Sequence, residues 1–380
     1  MVELFFHKVK EYSLKKIRII YYRRGDVVNN KIFFMTFDCS YSCNLKAISE
    51  EIIKRNLDIQ MVWVIPEDGS ITEEFPKGAK LVKKRSHEMF VEQASSKIWF
   101  DNALNCVWFG MPKKQGQVYI NTWHGSMGIK KLTGSRYWLK CAGKCDRMTD
   151  YCVTNSSFEE KVFRNTFWKN PVFLKYGHPR NDILFDLKKH EKIRKKIYNE
   201  FGLNDDVFLC LYAPTFRDDL SYEWNNIDYG LLGKKLSARF GGEWKIVVRL
   251  HDKDRKTVSI DDQNIIDGNN CNIYDLMIAC DVGVSDYSSW VYDYILLRKP
   301  VFIYASDQEK YEKDRGLYYP LSQTPFDISH NNIELGENIL NFDEGQYLEK
   351  VDEFLKRMGC YEDGMAAKRV VDKIEEIVNN

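Results

Sequence analysis

The sequence predicts an α/β protein of two domains, each built on a parallel sheet covered on both faces by helices. Three observations carry this expectation. The chain has 380 residues, more than twice the roughly 150 of an average domain, which calls for two separate cores. Hydrophobic residues make up 44% of it and aromatic residues 14%, with only 9 prolines and 22 glycines. That composition fills two cores and excludes disordered, collagen-like and low-complexity chains. Finally, short β-branched and aromatic runs alternate with helical patterns along both halves, as they do when parallel strands are joined by crossover helices.

In the first half the strands are expected at Lys31–Phe37, Gln60–Ile65, Lys97–Phe100, Gln117–Trp123, Tyr151–Asn155 and Val172–Gly177. Helices are expected between them at Leu45–Arg55 and Ser157–Arg164. After the charged stretch Lys188–Lys196 the alternation restarts, with strands at Val207–Ala213, Trp244–Leu250, Asn264–Asp267, Asp281–Ser285 and Pro300–Tyr304, and helices at Tyr229–Arg239 and Ser288–Leu297. The restart puts the boundary between Asp182 and Asp205 and gives domains of residues 1–185 and 186–380. A last helical pattern, Met365–Val378, has too weak an apolar stripe to assign to a core by itself. No repeat of solenoid period is present.

The net charge of +1 conceals an asymmetry. Residues 1–180 hold 30 Lys and Arg against 18 Asp and Glu, while residues 181–380 hold 26 against 37. A basic first half suits a polyanion or an anionic membrane face, and two ordinary solvated surfaces would give the same sums. No apolar run reaches the roughly 18 residues of a membrane span, and the opening residues have only Leu4-Phe5-Phe6 where a signal peptide needs roughly 7–15. With 10 cysteines in a long chain that lacks such a segment, reduced thiols and a cytoplasmic location are expected.

Ligands of open parallel sheets bind at the carboxyl ends of strands, so the segments that follow the strands carry the chemistry. Five polar clusters do so: Trp123-His124-Gly125-Ser126, Gly177-His178-Pro179-Arg180-Asn181-Asp182, Ala213-Pro214-Thr215-Phe216-Arg217-Asp218, Arg249-Leu250-His251 and Ser285-Asp286-Tyr287-Ser288-Ser289. If the strands are right, the clusters share one edge of their sheets and face a crevice between the domains. Ser288 and Ser289 fall in the first turn of a helix, where unpaired backbone N–H groups and two hydroxyls attract a phosphate; ordinary serine capping is the alternative. His124 ends an apolar strand before a glycine that admits a ligand, which suits a general base or, equally, a structural turn. Arg249 and His251 lie two apart on one strand face and can reach one phosphate. His178 reads as part of a rigid turn.

Nucleotide triphosphatase and dinucleotide oxidoreductase signatures are absent from the sequence. The cysteines Cys141, Cys145 and Cys152, and the pair Cys39 and Cys43, lack zinc-module spacing, so no metal is expected. Two stretches interleave cations with aromatics: Lys8–Arg24, and Lys130–Arg147 with Lys130, Lys131, Arg136 and Lys140. Such stretches lie on an anionic leaflet, on nucleic acid, or simply in solvent.

With those residues in view, the chain resembles the CDP-glycerol glycerophosphotransferase family of teichoic acid and capsule synthesis. The resemblance runs from about Lys31 to Tyr319. It rests on Tyr41-Ser42-Cys43-Asn44-Leu45-Lys46, Trp123-His124-Gly125 with Lys130-Lys131, the Gly177–Asp182 cluster, Tyr212–Arg217, Arg249-Leu250-His251, Ser285–Ser289 with Tyr292-Asp293, and Pro300 with Tyr304–Tyr311. It implies two Rossmann-like domains of GT-B type, the acceptor on the basic first one and CDP-glycerol on the second. One departure stands out: where the family usually has H-G-T-P-x-K, this chain has Ser126-Met127-Gly128-Ile129-Lys130 after His124-Gly125, which puts the shape of the acceptor loop in question.

The resemblance further implies that an acceptor hydroxyl attacks the β-phosphorus of CDP-glycerol and CMP leaves. His124 and His251 are then the catalytic candidates. Thr215, Arg217, Arg249, Asp286, Ser288 and Ser289 would bind the donor, and Asn44, Lys130, Lys131, Arg136 and Lys140 would face the acceptor or membrane. No cofactor is implied. The implied partners are CDP-glycerol, a lipid-linked or polymeric acceptor and an anionic membrane surface at the inner face of the cell membrane, without nucleic acid. The rivals are a GT-B transferase using CDP-ribitol or a nucleotide sugar, and a non-catalytic binder of anionic polymer or membrane.

Overall fold

The structure, a computed structural model, describes residues 13, 25–71, 73–128, 130–132, 143–215, 217, 226–250 and 264–379. The chain divides into two compact units. The first comprises residues 1–124, 134–182 and 361–380, and the second residues 125–133 and 183–360.

Among the described residues the first unit has a seven-stranded sheet of β1 (Val28–Met35), β2 (Gln60–Ile65), β3 (Lys80–Lys83), β4 (Ser96–Asp101), β5 (Val118–Asn121), β6 (Tyr151–Thr154) and β7 (Val172–Lys175), in the order 3-2-1-4-5-6-7. Every neighbouring pair is parallel. The sequence dictates this: runs such as Ile32-Phe33-Phe34-Met35 and Ile98-Trp99-Phe100 are buried on both faces, and only a sheet covered on both sides buries consecutive residues. Phe34 stacks between Trp63 at 4.6 Å and Phe100 at 5.5 Å. Over these rings lie Leu45, Ile48 and Ile52 of helix Cys43–Lys54.

The same core receives Val370, Val371, Ile374 and Ile377 of the final helix, Ala366–Asn379. Residues 361–380 therefore belong to the first unit, although a simple cut at residue 185 would give them to the second. The physical reason is a matching apolar face: each buried aliphatic side chain contributes roughly 1.5–3 kcal/mol. The return is pinned by the Asp182 carboxylate, which accepts from Ala366 N at 2.9 Å and Ala367 N at 2.7 Å.

The second unit has a six-stranded sheet among the described residues, of β8 (Val207–Tyr212), β9 (Glu243–Val248), β10 (Ile265–Asp267), β11 (Val282–Ser285), β12 (Val301–Tyr304) and β13 (Asp327–Ser329). Its order, β10-β9-β8-β11-β12-β13, is again parallel throughout and is that of the dinucleotide-binding fold. The charged stretch Lys188–Lys196 lies inside helix Leu187–Phe201, whose Ile197 and Tyr198 are buried. β3 and β13, edge strands of four and three residues, were not among the strands expected from the sequence.

In each sheet the winding reverses at one place, between β1 and β4 and between β8 and β11. There the loops leaving the carboxyl ends diverge, and the crevice they leave is where such folds bind ligands.

Candidate functional site

In the first unit the segment after β5 is turned sharply. Asn121 Oδ1 accepts from Trp123 N at 2.8 Å, and Trp123 takes a left-handed φ of 51°, so His124 leaves the sheet edge half-buried. Its ring stacks on Trp123 (centroids 4.8 Å) and on Phe37 (5.3 Å), a residue from the segment after β1. His124 Nδ1 lies 2.5 Å from the carbonyl oxygen of Asn102, just beyond β4. A carbonyl only accepts, so Nδ1 carries the proton and Nε2 keeps its lone pair. Burial pushes the His124 pKa below its ordinary value; the bond to Asn102 pulls it partly back, and the Arg180 cation pushes it down again. The result is an imidazole of fixed tautomer whose Nε2 keeps its lone pair.

Asn44, expected on the acceptor side, is fully buried. Its Nδ2 donates to Thr122 O and Trp123 O, both at 3.1 Å, and its Oδ1 accepts from Arg180 N at 3.2 Å. Arg180 Nη1 in turn donates to His124 O at 2.7 Å. Asn44 therefore shapes the turn that carries His124. His178 is likewise buried. Its Nε2 sits 3.1 Å from Glu159 Oε2 without the alignment of a hydrogen bond, while its backbone N–H donates to the Glu362 carboxylate at 3.1 Å. Gly177, with φ of 86°, lies so close to Glu362 that a Cβ would be 2.7 Å from Oε2. The turn read from the sequence is thus a buried anchor for the returning chain.

In the second unit the clusters after β8 and β11 flank the switch point. Arg217 is 7% exposed and saturated by acids. Its Nε and Nη2 donate to the two oxygens of Asp307 at 2.7 and 3.0 Å, and its Nη1 donates to Asp286 Oδ2 at 2.8 Å. Its guanidinium also lies over the rings of Tyr287 and Tyr311, at 5.1 and 4.8 Å, which stack at 3.8 Å. Burial opposes its charge, but the Asp307 and Asp286 carboxylates outweigh that and raise its pKa. Asp286 spends its other oxygen on Thr215 N (2.8 Å) and Tyr287 N (2.6 Å). Arg217 and Asp286, both expected on the donor, are therefore the frame that holds the two loops together. One cation is thus shared between two carboxylates.

What remains to meet an anion lies at the loop tips. Ser288 and Ser289 are half-buried, and Ser289 does not cap the helix it precedes, Trp290–Tyr294, with its side chain. The Thr215 hydroxyl is buried without a hydrogen-bond partner among the described residues. Arg249 follows β9, its Nε reaching Cys271 O at 3.4 Å. His251, Arg136 and Lys140 lie outside the described residues, as does nearly all of Lys8–Arg24.

Lys130 and Lys131 were expected with the basic first domain, but the segment 125–133 belongs to the second unit. Ser126 Oγ donates to the buried Asp293 at 2.7 Å, Tyr319 OH donates to Met127 O at 3.0 Å, and Lys131 N donates to Gly316 O at 3.1 Å. Gly128 packs on Ser289, where a Cβ would stand 3.1 Å from the serine Cβ. The loop that departs from H-G-T-P-x-K thus borders the serine pair. No role was expected from sequence for Phe37 or Asn102, nor for Asp293 and Asp307, which lie within the Tyr292-Asp293 and Tyr304–Tyr311 segments of the resemblance. Phe37, Asn102 and Asp307 follow strand ends, the signal that could have found them.

A model of the family described as CDP-Glycerol:Poly(glycerophosphate) glycerophosphotransferase matches residues 17–376. The teichoic acid poly(glycerol phosphate) polymerase of Staphylococcus epidermidis is 28% identical over 89% of the chain, which spans only 49% of that polymerase. The teichoic acid glycerol-phosphate transferase of Staphylococcus aureus is 27% identical, with 91% of this chain and 92% of that protein covered. Among solved structures, the wall teichoic acid polymerase TagF superposes with a TM-score of 0.83 at 25% identity, covering 100% of this chain and 99% of that one. A histidine variant of TagF has been solved after a soak with CDPG.

Proposed function

The chain belongs to the CDP-glycerol:poly(glycerophosphate) glycerophosphotransferase family and has the GT-B-like α/β fold of TagF; from this premise we propose how it works as a glycerophosphotransferase of teichoic acid synthesis. The acceptor hydroxyl attacks the β-phosphorus of CDP-glycerol. A new P–O bond forms, the bond from that phosphorus to the bridging oxygen breaks, and CMP leaves with the bridging oxygen. His124 Nε2 takes the hydroxyl proton as the new bond forms. In the second unit Ser288, Ser289, Thr215 and Arg249, with His251, receive the pyrophosphate and offset the charge that gathers on departing CMP. Arg217 and Asp286 hold the Thr215 and Ser288 loops in register without touching the donor.

The observation that carries this reading is His124, a histidine whose proton is committed to a backbone carbonyl and whose other nitrogen is left basic. Incubating the chain with CDP-glycerol, CDP-ribitol and UDP-sugars, and following CMP or UDP release, tests it. CMP release from CDP-glycerol is the expected result, and preference for another donor moves the chain to a rival substrate. Replacing Ser288 and Ser289 together by alanine should raise KM for CDP-glycerol ten- to a hundredfold. Net loss of one hydrogen bond to a charged group, roughly 1.5–3 kcal/mol, gives that range if water takes over the other, and unchanged donor affinity by calorimetry would remove the serines from the site.

The acceptor is a lipid-linked or polymeric hydroxyl compound, and the basic residues of Lys130–Arg147 hold the protein on an anionic membrane face. Each Lys or Arg there contributes on the order of 1 kcal/mol, screened over about 8 Å in physiological salt. Neutralising Lys130, Lys131, Arg136 and Lys140 should release the protein from anionic liposomes in co-sedimentation at low salt. Because Lys130 and Lys131 share a loop with Gly128 beside Ser289, the same substitutions should also change CDP-glycerol affinity. Binding that ignores both salt and these substitutions places the membrane contact elsewhere.

A further inference from the structure

The first unit has a second feature at the carboxyl edge of its sheet. A cavity of about 150 Å³ opens between the segments that follow β1 and β2. Its polar lining is Asp38, Ser40, Ser70 and Glu73, and Ile71 and Phe75 supply an apolar wall. Cys39 also lines it, and the Lys84 cation lies beside that thiol, so two carboxylates face one neighbouring cation. Asp38 Oδ1 accepts from Ser40 N at 3.1 Å, and Glu73 Oε2 accepts from Tyr41 N at 3.2 Å. Each carboxylate is thereby oriented by one oxygen, and the other oxygen makes no hydrogen bond among the described residues.

Three properties define what fits. Ionised carboxylates only accept hydrogen bonds, so they match a ligand that donates, such as a polyol hydroxyl, and repel phosphate. The apolar wall matches the C–H face of a short carbon chain. The volume is about five times the ~30 Å³ share of a water molecule, enough for a short polyol end and below the roughly 300–1,000 Å³ of a nucleotide-sized pocket. The cavity is also next to the base. Phe37 stacks on His124 and adjoins Asp38, it is 61% exposed, and the Asp38 charge is felt at the His124 ring. An exposed aromatic face beside carboxylates is suited to a polyhydroxylated carbon chain.

We infer that this cavity is the acceptor subsite, which takes the uncharged, hydroxyl-bearing polyol end of the acceptor chain and directs one hydroxyl toward His124. The inference rests on the transferase reading and adds to it a reason for orientation. The first half of the chain is basic overall and draws in a polyanionic acceptor, whereas the two carboxylates keep phosphate out of the cavity itself. Only the polyol terminus then enters, and internal phosphates stay outside.

The test uses the full chain, with Asp38→Asn and Glu73→Gln singly and together; both side chains are exposed, so the fold is expected to survive. Binding of glycerol is followed by saturation-transfer NMR, with inorganic phosphate as competitor. Each substitution should raise the glycerol concentration for half-saturation about tenfold, and phosphate should not displace glycerol. With CDP-glycerol and a glycerol-phosphate oligomer as acceptor, Glu73→Gln should raise acceptor KM about tenfold with kcat changed less than twofold. Glycerol binding unaffected by both substitutions, or phosphate displacing glycerol, overturns the subsite. A wild-type chain that binds glycerol through these carboxylates yet releases no CMP from CDP-glycerol overturns the transferase reading and leaves the polyol cavity standing, so the two failures are distinct.

Discussion

His124→Ala is expected to lower kcat by 10² to 10⁴, the contribution of a positioned general base, which at 1.36 kcal/mol per decade is about 2.7–5.4 kcal/mol of barrier. The direction follows from geometry. Asn102 O fixes the proton on Nδ1, so only Nε2 is free to accept one, and alanine leaves the acceptor hydroxyl to lose its proton to water. Affinity for CDP-glycerol should stay within about twofold, since the donor is assigned to residues of the other unit. The pH profile gives a second readout. The active form is the neutral imidazole, and burial moves the pKa below the ordinary 6.5, so the ring remains a base in more acid solution. The acid limb of kcat/KM should therefore lie below pH 6.5 in the wild type and vanish in the variant. A folded His124→Ala protein with near-wild-type turnover removes the base assignment.

Replacing Arg217 by methionine should be the most damaging change to the second unit. The guanidinium neutralises two carboxylates at once, and Arg217 and Asp286 are 7% and 4% exposed. Removing one partner of a buried pair costs about 3–5 kcal/mol because a charge is left without compensation, a large share of the 5–15 kcal/mol that holds an ordinary domain folded. Urea or thermal unfolding should shift by that amount, and donor binding should fall with it as the Thr215 and Ser288 loops lose their tie. Lysine should not restore stability, since a point charge does not reproduce the fork on Asp307. Methionine combined with Asp286→Asn and Asp307→Asn should recover most of the loss, because the uncompensated charges are gone. If Arg217→Met unfolds like the wild type, the buried pair does not hold the loops.

The same arginine separates what could be read from the chain and what could not. Its place after β8 marked it as functional, because polar residues at the end of an apolar run fall at the carboxyl edge of a parallel sheet wherever that sheet folds. Its pairing with Asp307 could not be read, because Asp307 lies 90 residues away and nothing local announces that the two meet. Asn44 is the parallel case: its motif was visible, but burial against Thr122 and Trp123 makes it a support for His124. Lys130 and Lys131 were grouped with a basic half by proximity in sequence, yet contacts with Gly316 and Tyr319 seat their loop in the second unit.

By itself the sequence determined the α/β class and eleven of the strands, since these follow from the period of apolar residues and from turn chemistry, both local. Partnership was decided by the tertiary structure. Helix Ala366–Asn379 joins the first unit because Val370 and Ile374 meet Ile48 and Phe34. His124 keeps the lone pair on Nε2 because the carbonyl of Asn102 faces Nδ1. Arg217 becomes structural because two acids converge on it. Each outcome depends on groups brought together across tens or hundreds of residues, where burial strengthens a charge pair or a hydrogen bond that would be worth little in water.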